Sequence, residues 1–274
     1  MKKRNIIFCT TIYPKNEHDF IALGLKPVGL GNKEYNNFFL RDNTGDNISH
    51  KNNSFGEYTF HYWLWKNYLE ELKKFEWIGF YSYRRFFLKK ENVNIIENSK
   101  ELKKTILNSF ENFSKYDAII TKPIIFEKNY KFMKIIKNYG FFNSMKEPTI
   151  FFKKQKNIYD HFKIFHGKKY LEDAINLLDK KTANEFRDFL INNNKFNAYN
   201  IFAVKNVDIL KAYYEKIFPW LFKCEEKFSN IKFRGYEVRK IAFLSEIFCN
   251  YWFKTNCKTF ENNFIFFDTN TRLV

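Results

Sequence analysis

Short apolar runs and amphipathic stretches alternate along the chain. Residues 4–11 (RNIIFCTT) form an apolar run too short for a helix, which predicts a strand. In residues 54–74 (SFGEYTFHYWLWKNYLEELKK), Tyr58, Tyr62, Trp65, Leu69 and Leu72 recur at intervals of four and three, the spacing of one helix face. Ser54 and Glu57 stand in the S-x-x-E order of a capping box, which predicts where that helix begins. EWIGFYSY (76–83) predicts a second strand, followed by a helical stretch near 100–113 and a strand at 116–121 (YDAIIT). Beyond these the pattern gives a helix over 170–191, a strand over 199–206 and a helix over 207–228 interrupted at Pro219. A last long helix is expected over 238–252, and NFIFFDT (263–269) as a closing strand.

Strands separated by helices predict an α/β fold, with a mixed, mostly parallel sheet flanked by helices. No Pro/Gly/Ser-rich linker and no internal repeat divides the sequence, so a single domain over 1–274 is expected. Ligands of such sheets bind at the carboxyl ends of the strands. In WIGFYSYRRFF (77–87), Arg84 and Arg85 fall at that end of their strand, among aromatic residues. Two adjacent guanidinium groups there suggest an anion that has to be held.

Charge and composition narrow the partners. The 47 Lys and Arg against 30 Asp and Glu leave a net charge of +17, a field that favours nucleotide phosphates or an anionic membrane surface. The lysines come in short pairs such as Lys73-Lys74 and Lys103-Lys104, mostly read as solvated helix faces. Without zinc-finger spacing, an RNP-like strand or a basic region with heptads, nucleic acid is not the expected partner. Phe alone accounts for 35 residues, which with the abundant Lys, Asn and Ile reads as a compositional bias, so no single Phe is given a role. Cys9, Cys224, Cys249 and Cys257 are widely spaced without a C-x-x-C, as expected of a reducing cytosol. The opening MKKRNIIFCTTIYPKNEHDF imitates a signal peptide but reads better as a first buried strand, and no segment reaches membrane-spanning length.

Several chemistries are absent from the motifs. There is no phosphate-binding G-x-x-x-x-G-K-[ST], no G-x-G-x-x-G, no G-x-S-x-G and no H-E-x-x-H. Nor is there an Asp-x-Asp pair to hold a divalent ion, so no metal and no cofactor are expected. A bound diphosphate would have to be neutralised by cationic side chains.

Two stretches carry a resemblance. DNTGDNISHKNNSFGEYTFHYWLWKN (42–67) and IGFYSYRRFF (78–87) resemble the paired signature of a bacterial family, first catalogued as a domain of unknown function and later recognised as galactofuranosyltransferases. KPVGLG (26–31), YDAIITKP (116–123), IYDHFKIFHGKKYLED (158–173), YNIFAVK (199–205) and RKIAFLSEIFCNYW (239–252) follow in the family's order. The likeness spans nearly the whole chain. The sequence departs from the pattern at Ser82, where the family has His, at Ala242, where Gly is usual, and at Ile247, where Arg follows the Glu.

The resemblance implies a GT-A-like fold, a UDP-sugar donor of galactofuranose type, a glycan or lipid-linked glycan acceptor of surface-polysaccharide assembly, and inverting transfer. It implies a cytoplasmic enzyme, peripheral at the inner membrane. Arg84 and Arg85 are the expected diphosphate contacts, on opposite strand faces unless the chain has already turned. Tyr83, Tyr199, Asn200, Asp42 and Asn47 are expected beside the donor. For the general base, Asp42, Asp46, Asp117 and Glu246 are the candidate carboxylates. Glu246, mid-helix in the apolar run IAFLSEIF, is placed first and Asp46 next. Trp63 is expected to be available for stacking and Trp65 to lie in the core. Two alternatives stay open: another nucleotide sugar, or a binding module that has lost turnover.

Overall fold

The computed structural model describes residues 3–14, 17–90, 96, 99–125, 156–233 and 235–267. The strands are β1 (Lys3–Thr11), β2 (Lys26–Gly29), β3 (Leu40–Arg41), β4 (Phe75–Ser82), β5 (Arg85–Phe87), β6 (Ala118–Thr121), β7 (Ile124–Ile125), β8 (Lys195–Phe196), β9 (Phe202–Val204), β10 (Thr259–Asn262) and β11 (Phe264–Phe266). The helices are α1 (Glu17–Ala22), α2 (Asn52–Phe55), α3 (Tyr58–Asn67), α4 (Leu69–Leu72), α5 (Ser99–Thr105), α6 (Ile158–His166), α7 (Lys168–Ile175), α8 (Lys180–Asn192), α9 (Val207–Phe228) and α10 (Lys240–Asn256). Two compact units divide the chain: Met1–Lys122 with Tyr199–Phe218 and Trp252–Val274, and Pro123–Ala198 with Pro219–Tyr251. Each is assembled from interleaved stretches, so neither is a simple segment of sequence.

The first unit holds the mixed, mostly parallel sheet that the pattern predicts. Its order is β10-β6-β9-β4-β1-β2-β3, with β5 paired to β4 and β11 paired to β5. β4, β1, β2 and β3 run parallel, as do β10 and β6, and β9 inserts antiparallel between β6 and β4. Alternation along the strands sorts side chains onto two apolar faces. Ile7, Cys9, Trp77, Tyr81, Ile119 and Ala203 join one core cluster with Leu102, Ile106 and Phe110. Gly79 makes this possible, because a Cβ there would lie 2.9 Å from the Phe110 ring. On the other face, Phe8, Phe80 and Phe202 stack together and meet Phe60 and His61 of α3. His61 is buried there, with Nδ1 2.7 Å from the Tyr214 hydroxyl of α9, and burial pushes its imidazole down to about 3. This is the core role that its place in an aromatic helix suggests.

The second unit contains α6, α7, α8 and the β7–β8 pair. Phe186, Trp220 and Phe248 pack edge to face or tilted, and the Trp220 Nε1 donates to the Ala174 carbonyl at 2.7 Å. Lys240 is 1% exposed, paired to Glu237 and set against the Tyr170 ring at 4.4 Å.

Several elements differ from expectation for local reasons. The helix expected over 54–74 is three helices, because Gly56 takes φ 58° and ψ −136° and Tyr68 leaves the helical region at φ −134°. Ser54 lies within α2, and neither α2 nor α3 has a side-chain cap at its start, so the capping box is not formed. The helix expected over 170–191 breaks before Lys180, where the Asp179 carboxylate accepts from the Thr182 amide at 3.0 Å. Pro219, expected to interrupt its helix, lies inside a continuous α9. The closing strand is confined to Phe264–Phe266, and Asp268 and Thr269 lie outside the described residues.

Candidate active site

The register places several chain segments at one end of the sheet. β1 and β4 run in parallel to Thr10 opposite Ser82, and β6 and β10 end together at Thr121 and Asn262. β9 runs the other way and begins there, with Phe202 opposite both Phe80 and Ile120. Tyr199 and Asn200, just before β9, therefore stand at the end where Tyr83, Arg84 and Arg85 follow β4.

β4 turns back into β5 through Tyr83 and Arg84, leaving Ser82 directly opposite Arg85. The Arg84 guanidinium lies 5.2 Å from the ring centres of both Tyr83 and Phe266. That of Arg85 lies 4.2 Å from the Tyr199 ring and 6.0 Å from Phe266. Ring faces attract a cation without neutralising it. Among the described residues no carboxylate pairs with either arginine, and the Nε of each is buried without a hydrogen-bond partner. Both guanidinium groups border the same Phe266 ring because Arg84 lies in the turn, where strand alternation no longer applies.

Two strained residues support this arrangement. Tyr199 adopts φ 78° and Asn200 φ 50°, so two consecutive side-chain-bearing residues occupy the left-handed region. Such backbone persists where its surroundings enforce it, and it gathers at functional sites. Here the Asn200 Oδ1 accepts from the Tyr58 hydroxyl at 3.3 Å, and Tyr58 shares a further 2.5 Å hydrogen bond with Tyr213. The chain reversal lays the Tyr199 ring under Arg85, so the strand expected over 199–206 starts only at Phe202.

The acidic loop forms a separate piece. Asp42 is fully buried; its Oδ1 accepts from the Gly31 amide at 2.9 Å and its Oδ2 from the Thr59 hydroxyl at 2.6 Å. Burial pushes its carboxyl above the usual carboxylate range, against the pull of those hydrogen bonds. Asp42 thus orients the loop rather than presenting itself to a ligand. Asp46 is exposed, and the Tyr62 hydroxyl donates to its Oδ1 at 3.1 Å. The Asn67 side-chain amide brackets the Asp46 backbone, accepting from its N–H at 3.1 Å and donating to its carbonyl at 2.8 Å. Gly45 is required beside it: φ is 55°, and a Cβ would meet the Asn67 Oδ1 at 2.3 Å. Asn47 turns inward, accepting from the Ser49 amide and hydroxyl at 3.2 and 2.9 Å.

Trp63, expected to be free for stacking, is 6% exposed and donates its Nε1 to Thr44 at 2.9 Å. Trp65, expected in the core, is only half-buried, stacked on Phe218 at 5.4 Å with Lys66 over it. Thr59, Tyr62, Trp63 and Asn67 all belong to α3. The two halves of the 42–67 signature are a loop and the helix face that holds it.

Asp117 precedes β6 at the opposite end of the sheet and accepts from the Lys258 amide at 2.8 Å, which removes it from the candidate bases. Glu246 is half-buried in α10, in the stretch that belongs to the second unit, flanked by buried Ser245 and Ile247. The first unit thus brings together Tyr83, Arg84, Arg85, Tyr199 and Asn200, and holds Asp42, Asp46 and Asn47 in a clamped loop. Phe266, 56% exposed between the two guanidinium groups, escaped notice because phenylalanine abundance masked it.

The model of the family described as Domain of unknown function (DUF4422) matches residues 15–257. The chain belongs to this family. The DUF4422 match spans every candidate residue except Phe266. No curated protein matches the chain. Among solved structures, the DUF4422 chain is similar to one described as a WbbM bifunctional glycosyltransferase in its apo form. Identity is 23%, the TM-score is 0.71, and the likeness covers 97% of this chain and 46% of that one. At this identity the likeness shows a shared fold, and the chain spans less than half the length of that protein.

Proposed function

We propose that this protein is a glycosyltransferase that transfers a galactofuranose-type residue from a UDP-sugar to a glycan of a surface polysaccharide. The observation that carries the reading is the Arg84–Arg85 pair at the carboxyl end of the sheet, for which no carboxylate partner is found among the described residues. Two adjacent cations suit a diphosphate, whose oxygens accept charge-assisted hydrogen bonds from guanidinium forks. The fold shared with a glycosyltransferase and the family resemblance support the same class.

In this reading the acceptor hydroxyl attacks the anomeric carbon from the side opposite the diphosphate. The carbon–oxygen bond to the diphosphate breaks, and the configuration inverts without a covalent intermediate. A carboxylate takes the acceptor proton, Asp46 being the candidate in the same unit as the arginines. Arg84 and Arg85 stabilise the departing diphosphate, a preorganised electrostatic contribution that needs no metal ion. The protein works in the cytoplasm on a lipid-linked acceptor at the membrane face.

Purified Arg84→Ala and Arg85→Ala variants, checked for folding, test the reading with UDP-sugars in pyranose and furanose forms. Each substitution should lower transfer by roughly 10²-fold or more, the scale of a lost transition-state donor, and chelator should leave the wild type active. Full activity in both variants refutes the assignment. A requirement for divalent metal refutes the cation argument.

A further inference from the structure

Six buried side-chain nitrogen or oxygen atoms lack a hydrogen-bond partner among the described residues, and three of them, Ser82 Oγ, Arg84 Nε and Arg85 Nε, fall within four consecutive positions. Buried polar groups are almost always paired in native proteins, so such a concentration marks a place where a ligand supplies the partner. Ser82 is 4% exposed at the last position of β4. It stands directly opposite Arg85 in the antiparallel β4–β5 ladder, and residues so paired project to the same face of a sheet. The Phe266 ring belongs to the same row, since Phe266 is the β11 partner of Arg85. On the other side, Thr10 of β1 is the ladder partner of Ser82, but its hydroxyl is committed to the Tyr81 carbonyl at 3.3 Å. The row Phe266–Arg85–Ser82 therefore presents an aromatic face, a guanidinium and an unengaged hydroxyl side by side.

We propose that the Ser82 hydroxyl is a third hydrogen-bond donor to the diphosphate, acting beside Arg85. This rests on the reading of the arginine pair given above and adds a contact to it. Guanidinium groups only donate, so whatever meets Arg85 must accept. A phosphate oxygen accepts from the hydroxyl as well. A neutral sugar hydroxyl could satisfy Ser82 but would leave both positive charges uncompensated.

Calorimetric titration of the whole chain with UDP, inorganic pyrophosphate and uridine, in the wild type, Ser82→Ala, Ser82→Thr and Arg85→Ala, tests the assignment. Ser82→Ala should weaken UDP and pyrophosphate by about tenfold, as expected for a lost hydrogen bond to a charged group, and leave uridine unchanged. Ser82→Thr, which keeps the hydroxyl, should restore most of the affinity. The Tm of ligand-free Ser82→Ala should equal or exceed that of the wild type, since the lost hydroxyl has no hydrogen-bond partner among the described residues. Wild-type affinity in Ser82→Ala alongside weakened Arg85→Ala overturns the Ser82 role and spares the arginine reading. A lowered Tm in ligand-free Ser82→Ala gives the hydroxyl a structural task and also overturns it. Binding of neither UDP nor pyrophosphate by the wild type overturns both.

Discussion

Tyr199 is a bulky residue at φ 78°, a conformation that glycine would adopt without penalty. The chain keeps the ring there, at a strain of about 1–3 kcal/mol, and Arg85 rests on it at 4.2 Å. The ring face is thus the property to test. Tyr199→Phe preserves it and should bind UDP within a few-fold of the wild type. Tyr199→Leu keeps bulk but not the quadrupole. It should lose about 0.5–2 kcal/mol of the interaction that fixes the cation, which calorimetry would read as a 2- to 30-fold weaker UDP affinity. Equal affinity in both variants would mean that Arg85 is fixed by something else. At this scale the sequence spoke unevenly. Two adjacent arginines after an apolar run are visible to any reader. The left-handed turn at Tyr199–Asn200 is not, because Asn tolerates that region while Tyr gives no sign of it.

At the scale of elements, long strands and helices were legible and short ones were not. β1 and β4 carry eight or nine residues of pattern, whereas β3, β7 and β8 have two each, too few for any period to register. The break at Gly56 was masked by apolar spacing that continues across it. The packing of α3 on the sheet was legible in part, and it makes a prediction about acid. His61 sits between α3, α9 and the sheet, and its folded-state value of about 3 lies well below the 6.5 of an exposed imidazole. Below pH 6.5 the unfolded chain binds a proton that the folded chain refuses until near pH 3. The contribution of His61 to stability is therefore complete above pH 6.5 and lost as the pH falls toward 3. Between pH 7 and pH 4 the loss amounts to about 3 kcal/mol. Urea denaturation at both pH values should show it in the wild type. His61→Phe, whatever it costs at pH 7, should flatten that part of the dependence. An unchanged slope in the variant would place the proton uptake on other groups.

At the scale of the whole molecule the dominant fact is a net charge of +17. No helix among the described residues is long and apolar enough to cross a membrane, so attraction to a bilayer would have to come from that charge. Two origins make different predictions. If compositional drift spread lysines evenly over the surface, few of them could approach a flat bilayer together, and the Debye length of about 10 Å at 0.1 M salt would screen the rest. If function gathered them on one side, each Lys or Arg near an anionic surface would add about 1 kcal/mol, and a handful would suffice for stable binding. Cosedimentation with vesicles separates the two. The reading of an enzyme at the membrane face expects binding to phosphatidylglycerol vesicles near physiological salt and release in roughly 0.5 M salt, where the screening length falls to a few ångströms. It expects no binding to phosphatidylcholine. Binding to neither lipid at physiological salt would assign the surface charge to composition and separate it from the task of the arginine pair.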